Sequence, residues 1–197
     1  MYKDLVGKTA LLTGSGKRTG IGFAIAEKMA ECGANVVITD LGESLDESLG
    51  VQTGTSEEME SIAQDLKDRY GVETLAVKLD VTDGDSIARM IEIVKDRFEH
   101  VDVLFNNAGA AIGVPNSVEN YDEWAWMKTI DVNLHGVFRV TRAVLPMMKG
   151  IKGSIINISS RAGKVPPLWN GAYAVAVWCY HADKSVGVGI GEHRDTG

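Results

Sequence analysis

Short apolar runs recur along the chain, and between them apolar residues return at helical spacing. Thr9-Ala10-Leu11-Leu12-Thr13 reads as a strand that ends at glycines. From Gly20 to Cys32, Ile21, Ala24, Ile25 and Met29 keep a helical period, and Gly33 is a natural stop. Asn35 to Thr39 reads as a second strand, and Leu41 to Gly54 as a polar, glycine-rich loop longer than such connections usually are. Thr55 to Tyr70 is helical, with Met59, Ile62, Ala63 and Leu66 on one face. Glu73 to Leu79 is a third strand, and Asp83 or Asp85 can cap a helix running to about Phe98. Val101 to Phe105 is a fourth strand. A loop and a long helix from about Tyr121 to Met148 follow, then a fifth strand from Ser154 to Ile158. Short apolar strands separated by helices predict a parallel sheet buried on both faces. With right-handed crossovers this is a doubly wound, three-layer α/β domain.

Composition agrees with that picture. The chain has 197 residues, 45% hydrophobic and 24% charged, which suits one soluble domain with a sizeable core. A net charge of -7 argues against nucleic acid or an anionic membrane as partner. No run is long and apolar enough to span a bilayer. Charges in Met1 to Lys8 fall where a signal peptide needs its apolar region, so a cytoplasmic, reducing compartment is expected. Cys32 and Cys179 form no redox pair, and His181 and His193 complete no zinc spacing with Cys179, so no metal site is expected.

The chemistry starts at Thr13-Gly14-Ser15-Gly16-Lys17-Arg18-Thr19-Gly20-Ile21-Gly22, between the first strand and the first helix. Glycines there let the backbone approach a pyrophosphate, and the helix N-terminus offers it free N–H groups. The bland alternative is a flexible turn. Asp40 closes the second strand, 18 residues after Gly22. A carboxylate at that place can bind a ribose 2'-hydroxyl and repel a 2'-phosphate, which favours NAD over NADP. Lys17 and Arg18 pull the other way, since basic loop residues can meet a 2'-phosphate.

In this order the chain also carries Leu79-Asp80-Val81, Asn106-Asn107-Ala108-Gly109, Asp131-Val132-Asn133, Ile158-Ser159-Ser160 and Tyr173. Together with the glycine loop, this series resembles the short-chain dehydrogenase/reductase family over roughly Lys8 to Ala176. It is closest in kind to 3-oxoacyl-carrier-protein-reductase-like and secondary-alcohol-dehydrogenase members. The resemblance implies a Rossmann domain over 1–176 with a nicotinamide dinucleotide on Gly14, Ser15, Arg18, Gly20, Ile21, Gly22 and Asp40. Asp80 and Val81 would line the adenine pocket, and Asn107, Ala108 and Gly109 would wall the cofactor. The glycine loop departs from the family. It has five residues, Ser15 to Thr19, between Thr-Gly and Gly-Ile-Gly, where three are usual, so it should bulge.

The resemblance further implies interconversion of a secondary alcohol and a ketone, with a 3-hydroxyacyl/3-oxoacyl pair as one option. The cofactor would carry the hydride while the protein moves the proton. Tyr173 would be the acid/base, Ser160 would hydrogen-bond the substrate oxygen, and Asn133 would hold a relay water by interrupting its long helix. Family members commonly pair as dimers or tetramers through the long helix and the tyrosine helix. The family's lysine, four residues after the tyrosine, is Val177 here. In the family that lysine binds the nicotinamide ribose and lowers the tyrosine's pKa. A shift of about three units is worth ~4 kcal/mol, about a thousandfold in rate. Trp124, Trp126, Pro166, Pro167, Leu168 and Trp169 are candidates for a pocket edge or for plain packing.

From Val177 to Gly197 the text reads as a divergent, irregular tail lacking the family's last strands. Its glycines at 187, 189 and 191 each cost a helix about 1 kcal/mol relative to alanine. Moving the frame by one base from Trp178 permits Gly-Val-Ile-Met-Leu-Thr-Lys-Ala-Leu-Ala-Leu-Glu-Leu-Gly-Asn, an amphipathic helix of the family's type. A frameshift is therefore one expectation and a natively divergent tail the other. The corresponding functions are an oxidoreductase and a dinucleotide-binding remnant without turnover.

Overall fold

The computed structural model describes residues 5–45 and 49–178. The tail from residue 179, with Cys179, His181 and His193, lies outside the described residues. Five strands form one parallel sheet: β1 (Thr9–Thr13), β2 (Asn35–Asp40), β3 (Thr74–Lys78), β4 (Val103–Asn106) and β5 (Ser154–Asn157), in the order β3-β2-β1-β4-β5. The chain winds outward through β2 and β3, then crosses to the other side of β1 for β4 and β5. The order reverses between β1 and β4, so the loops leaving their carboxyl ends part there and open a crevice.

Successive residues of a strand face opposite sides of the sheet. Leu11 and Val37 accordingly pack with Leu104 against α3 (Gly84–Arg97) and α5 (Gly136–Met148). Leu12, Val36 and Ile38 pack on the other side against α1 (Ile21–Glu31) and α2 (Ser56–Tyr70). Both faces are thus covered, as the unbroken apolar strands require. The helices start where capping residues stand. Thr55 accepts from the Glu58 N–H, Asp83 from Asp85 and Asp122 from Ala125.

Two elements depart from the sequence reading. Val101 is a core residue outside the ladder, because its N–H binds the Met147 carbonyl at the end of α5. The long helix is three pieces: α4 (Glu123–Ile130), a π turn (Asp131–His135) and α5. The sequence reading anticipated an interruption at Asn133, and the wider turn is its form. A 3-10 turn (Arg161–Gly163) and α6 (Gly171–Trp178) follow β5. The helix therefore continues two residues past Ala176. Among the described residues β5 has one neighbour, β4, and its face is only half covered. No described helix is long and apolar enough to cross a membrane.

Candidate functional site

Thr13, at the end of β1, fastens the two loops that meet at the crevice. Its Oγ1 accepts from the N–H groups of Asn107 (3.0 Å) and Ala108 (2.9 Å) and donates to the Phe105 carbonyl (3.4 Å). The Asn107 amide donates back to the carbonyls of Thr13 (3.0 Å) and Gly14 (2.8 Å). Gly14 lies in the left-handed region at φ +63°, and a Cβ there would stand 2.7 Å from Ala108 Cα. A Cβ on Gly22 would stand 2.4 Å from the Gly14 carbonyl oxygen and 2.6 Å from Asn107 Nδ2. The first turn of α1 is therefore pressed against the end of β4. Gly20 caps α1 without a side chain, and no acidic residue occupies the first turn. The helix thus turns uncompensated N–H groups to the crevice, the arrangement that suits a phosphate.

The five-residue bulge is held from below and from the side. The Gly16 N–H donates to Asp40 Oδ2 at 2.9 Å, and Leu41 N–H donates to Oδ1 at 2.9 Å. Burial pushes the Asp40 carboxyl above the usual carboxylate range, although N–H groups of Leu41, Gly16 and Gly54 pull it down. Arg18 leans outward onto α2. Its guanidinium meets Asp65 at 3.1 Å and Ser61 at 3.1 and 3.3 Å, and its N–H meets Glu58 at 2.9 Å. Ser15 is fully buried, donating to the Leu12 carbonyl and accepting from the Thr39 N–H.

A cavity of about 490 Å³ opens where these loops part. Gly14, Gly20, Ile21, Asp40, Asp80, Val81, Asn107, Ala108 and Gly109, all expected cofactor residues, line it. Gly22 lies just beneath as the packing partner of Gly14, while Ser15 and Arg18 do not line it. The cavity also takes Gln52 and Thr53 from the β2–α2 loop, and Trp124 and Lys128 from α4. Of these, only Trp124 stood out in the sequence. A lysine on an amphipathic helix looks like any solvated residue, and a polar loop carries no periodic signal. Trp126 instead packs edge-on against Tyr121, with ring centroids 5.6 Å apart.

Of the three expected catalytic residues, Tyr173 sits on α6, which packs on both the π turn of Asn133 and the 3-10 turn that Ser160 begins. Asn133, in the π turn, accepts from Ala110 N–H at 3.2 Å and donates to the carbonyls of Ala110 (2.5 Å) and Thr129 (2.7 Å). It therefore holds the segment after Gly109 against the helix. Ser160 begins the 3-10 turn, its Oγ accepting from Ala162 N–H at 3.2 Å. Tyr173 is half-buried on α6, which packs on that turn, on α4 and on the π turn. Neither Ser160 nor Tyr173 lines the 490 Å³ cavity. Val177, one helical turn beyond Tyr173, is 3% exposed.

The sequence profile of the short chain dehydrogenases matches residues 8–179. The chain belongs to that family. Among short chain dehydrogenases, trans-4-hydroxycyclohexanecarboxylate dehydrogenase of Sinomonas cyclohexanicum is 40% identical over 175 residues, covering 87% of this chain and 61% of that protein. The structure of L-sorbose reductase from Gluconobacter frateurii, complexed with NADPH and L-sorbose, superposes with a TM-score of 0.79 at 26% identity. It covers 94% of this chain and 65% of the reductase. NAD+-bound xylitol dehydrogenase superposes at 0.78 with 28% identity, covering 93% and 65%. The chain thus spans about three fifths of the length of the curated relative. The family's enzymes are nicotinamide-dependent oxidoreductases, and its doubly wound sheet is the one found here.

Proposed function

We propose that the crevice binds a nicotinamide dinucleotide, NAD in preference to NADP, for interconversion of a secondary alcohol and a ketone. One observation carries this reading: the glycine loop, Asp40, Asp80 and Asn107 to Gly109, far apart in the chain, line a single cavity at the carboxyl ends of the strands. The close approach of backbones at Gly14 and Gly22 suits a phosphate-bearing ligand, as does the bare start of α1. Asp40 and Glu43 place two carboxylates at the ribose end against one lining cation, Lys17, and Arg18 is turned away to Asp65, so the local charge disfavours a 2'-phosphate.

The bound dinucleotide would supply the hydride. In the reductive direction Tyr173 gives its hydroxyl proton to the carbonyl oxygen. Ser160 has its oxygen occupied by Ala162 N–H, so its hydroxyl hydrogen is available to that same carbonyl oxygen. Asn133 fixes the Ala110 backbone beside the site and orders the water that returns a proton to the tyrosine.

Val177 favours a second reading, in which the chain binds dinucleotide and does not turn over. A buried valine one turn after Tyr173 brings no positive charge to the tyrosine and no donor to a ribose. Titration with NADH and NADPH, followed by a ketone panel on wild type and Val177→Lys, tests both. NADH binding with at least tenfold preference is expected, with turnover that rises at least tenfold in Val177→Lys. Absence of NADH binding would sink the first reading. Turnover by the wild type would sink the second.

A further inference from the structure

Lys128 reaches from α4 toward the loop after β3. Its Nζ donates to Thr82 Oγ1 at 2.8 Å. The Thr82 hydroxyl donates onward to Asp80 Oδ1 at 2.7 Å, and the Thr82 N–H meets the same oxygen at 2.8 Å. The Asp80 N–H is held by Ser86 Oγ at 3.0 Å. The direction of this chain is forced. An ammonium only donates, so the hydroxyl must accept from it and spend its single hydrogen on Asp80. Each bond polarises the next.

Among the described residues both donors to the Asp80 carboxylate fall on Oδ1, which leaves Oδ2 for a ligand. Asp80 and Lys128 both line the cavity, and Val81 and Val132 give it apolar walls at that end. A flat heterocycle bearing an amino group suits such a slot. Its faces lie on the valines and its N–H meets a carboxylate oxygen whose direction is already set.

We propose that Lys128 is a positioning residue. Acting through Thr82, it fixes the Asp80 carboxylate so that Oδ2 accepts from the 6-amino group of the bound dinucleotide's adenine. This rests on the reading of the cavity as a dinucleotide site. The rival role is direct attraction of the ammonium to the ligand's phosphates.

The two roles separate on one pair of probes, NADH and its deamino analogue. The analogue keeps every phosphate and carries a carbonyl in place of the 6-amino group. Wild type should prefer NADH. Lys128→Met and Thr82→Val should each weaken NADH about five- to tenfold, the size of one ordinary net hydrogen bond, and move deamino-NADH by less than about twofold. Thr82→Ser, which keeps the hydroxyl, should restore NADH affinity. Equal losses for both ligands, or an NADH affinity untouched by Thr82→Val, overturn the proposal. If wild type binds neither ligand, the dinucleotide reading falls and takes this one with it. A wild type that binds both equally removes only the role of Asp80 and Lys128.

Discussion

At the scale of single residues, the crevice leaves almost no free volume where the two loops touch. Gly22→Ala would drive a Cβ into the Gly14 carbonyl and the Asn107 amide, groups that cannot retreat without breaking the bond between them or the amide's bond to the Thr13 carbonyl. Such overpacking typically costs about 1–3 kcal/mol. Thermal melts should show a lowered midpoint, and NADH titration a loss of affinity, because the groups displaced are those lining the cavity. Arg18→Ala is the contrasting case. Its guanidinium lies on Asp65 and Ser61, so the ratio of NADH to NADPH affinities should change by less than about twofold, as an exposed ion pair is worth at most about 1 kcal/mol. A large fall in NADPH affinity would show that the side chain swings into the cavity.

Asp40 makes a prediction about pH. Burial raises its folded-state pKa above the unfolded value of about 3.9, so the folded chain holds this proton more tightly than the unfolded chain does. Its contribution to stability is therefore greatest below about pH 3.9, declines as pH climbs through the raised value and is constant above it. Asp40→Asn should remove that slope from unfolding curves measured across the acidic range. The variant should also be less stable throughout, since one carboxylate oxygen facing backbone N–H groups becomes an amide nitrogen. A wild-type and Asp40→Asn difference that does not vary with pH would contradict this account.

At the scale of elements, α2 acts as a brace for the phosphate loop. Glu58, Ser61 and Asp65 on its first three turns hold Arg18, and Thr55 caps its start. Thr55→Ala should cost about 1 kcal/mol and weaken dinucleotide binding along with stability, which urea titration with and without NADH can separate. The capped helices and buried strands could be read from periodicity because their signals are local: a polar cap, an apolar stripe, a glycine stop. What could not be read was direction over long distances. Arg18 looked like a phosphate ligand because nothing near it in sequence reveals Asp65. Ser15 looked like a loop residue facing ligand, yet β2 claims its hydroxyl. Lys128 drew no notice because its partner, Thr82, is a loop residue of the preceding βα unit. The break at Asn133 was legible, while its π geometry depends on the Ala110 segment that the asparagine grips from another part of the fold.

At the scale of the whole molecule, the sheet ends in two edge strands among the described residues, β3 and β5, each paired on one side only. Both are only partly covered, and β5 lies beside the segment that carries most of the exposed apolar surface near the sheet. Leu168, Val165 and Trp169 stand exposed in the segment that follows β5. Open strand edges beside apolar surface promote association. Size-exclusion chromatography over a range of concentrations should show a broad, concentration-dependent species, and a sharp monomer peak with a sharp melt would refute this. The coding DNA supplies a separate check on the family's missing lysine. If a frameshift placed Val177 in the chain, an alternative frame there reads Lys-Ser-Gly-Val; if no frame does, the valine is native to the lineage.

The join between Gly42 and Thr55 has a further meaning. The β2–α2 connection is pinched shut at its base by their backbone bridge and by the Ser56 bonds to the Gly42 carbonyl. Apart from Gly54, where a Cβ would stand 2.1 Å from the Gly16 carbonyl oxygen, what lies between the pins can be exchanged without asking the sheet to move, since closing a longer loop costs only a logarithm of its length. Gln52 and Thr53 from that stretch nevertheless line the ligand cavity. The connection is a cassette: a place where cofactor contacts can be rewritten, in evolution or at the bench, while the fold that holds them stays the same.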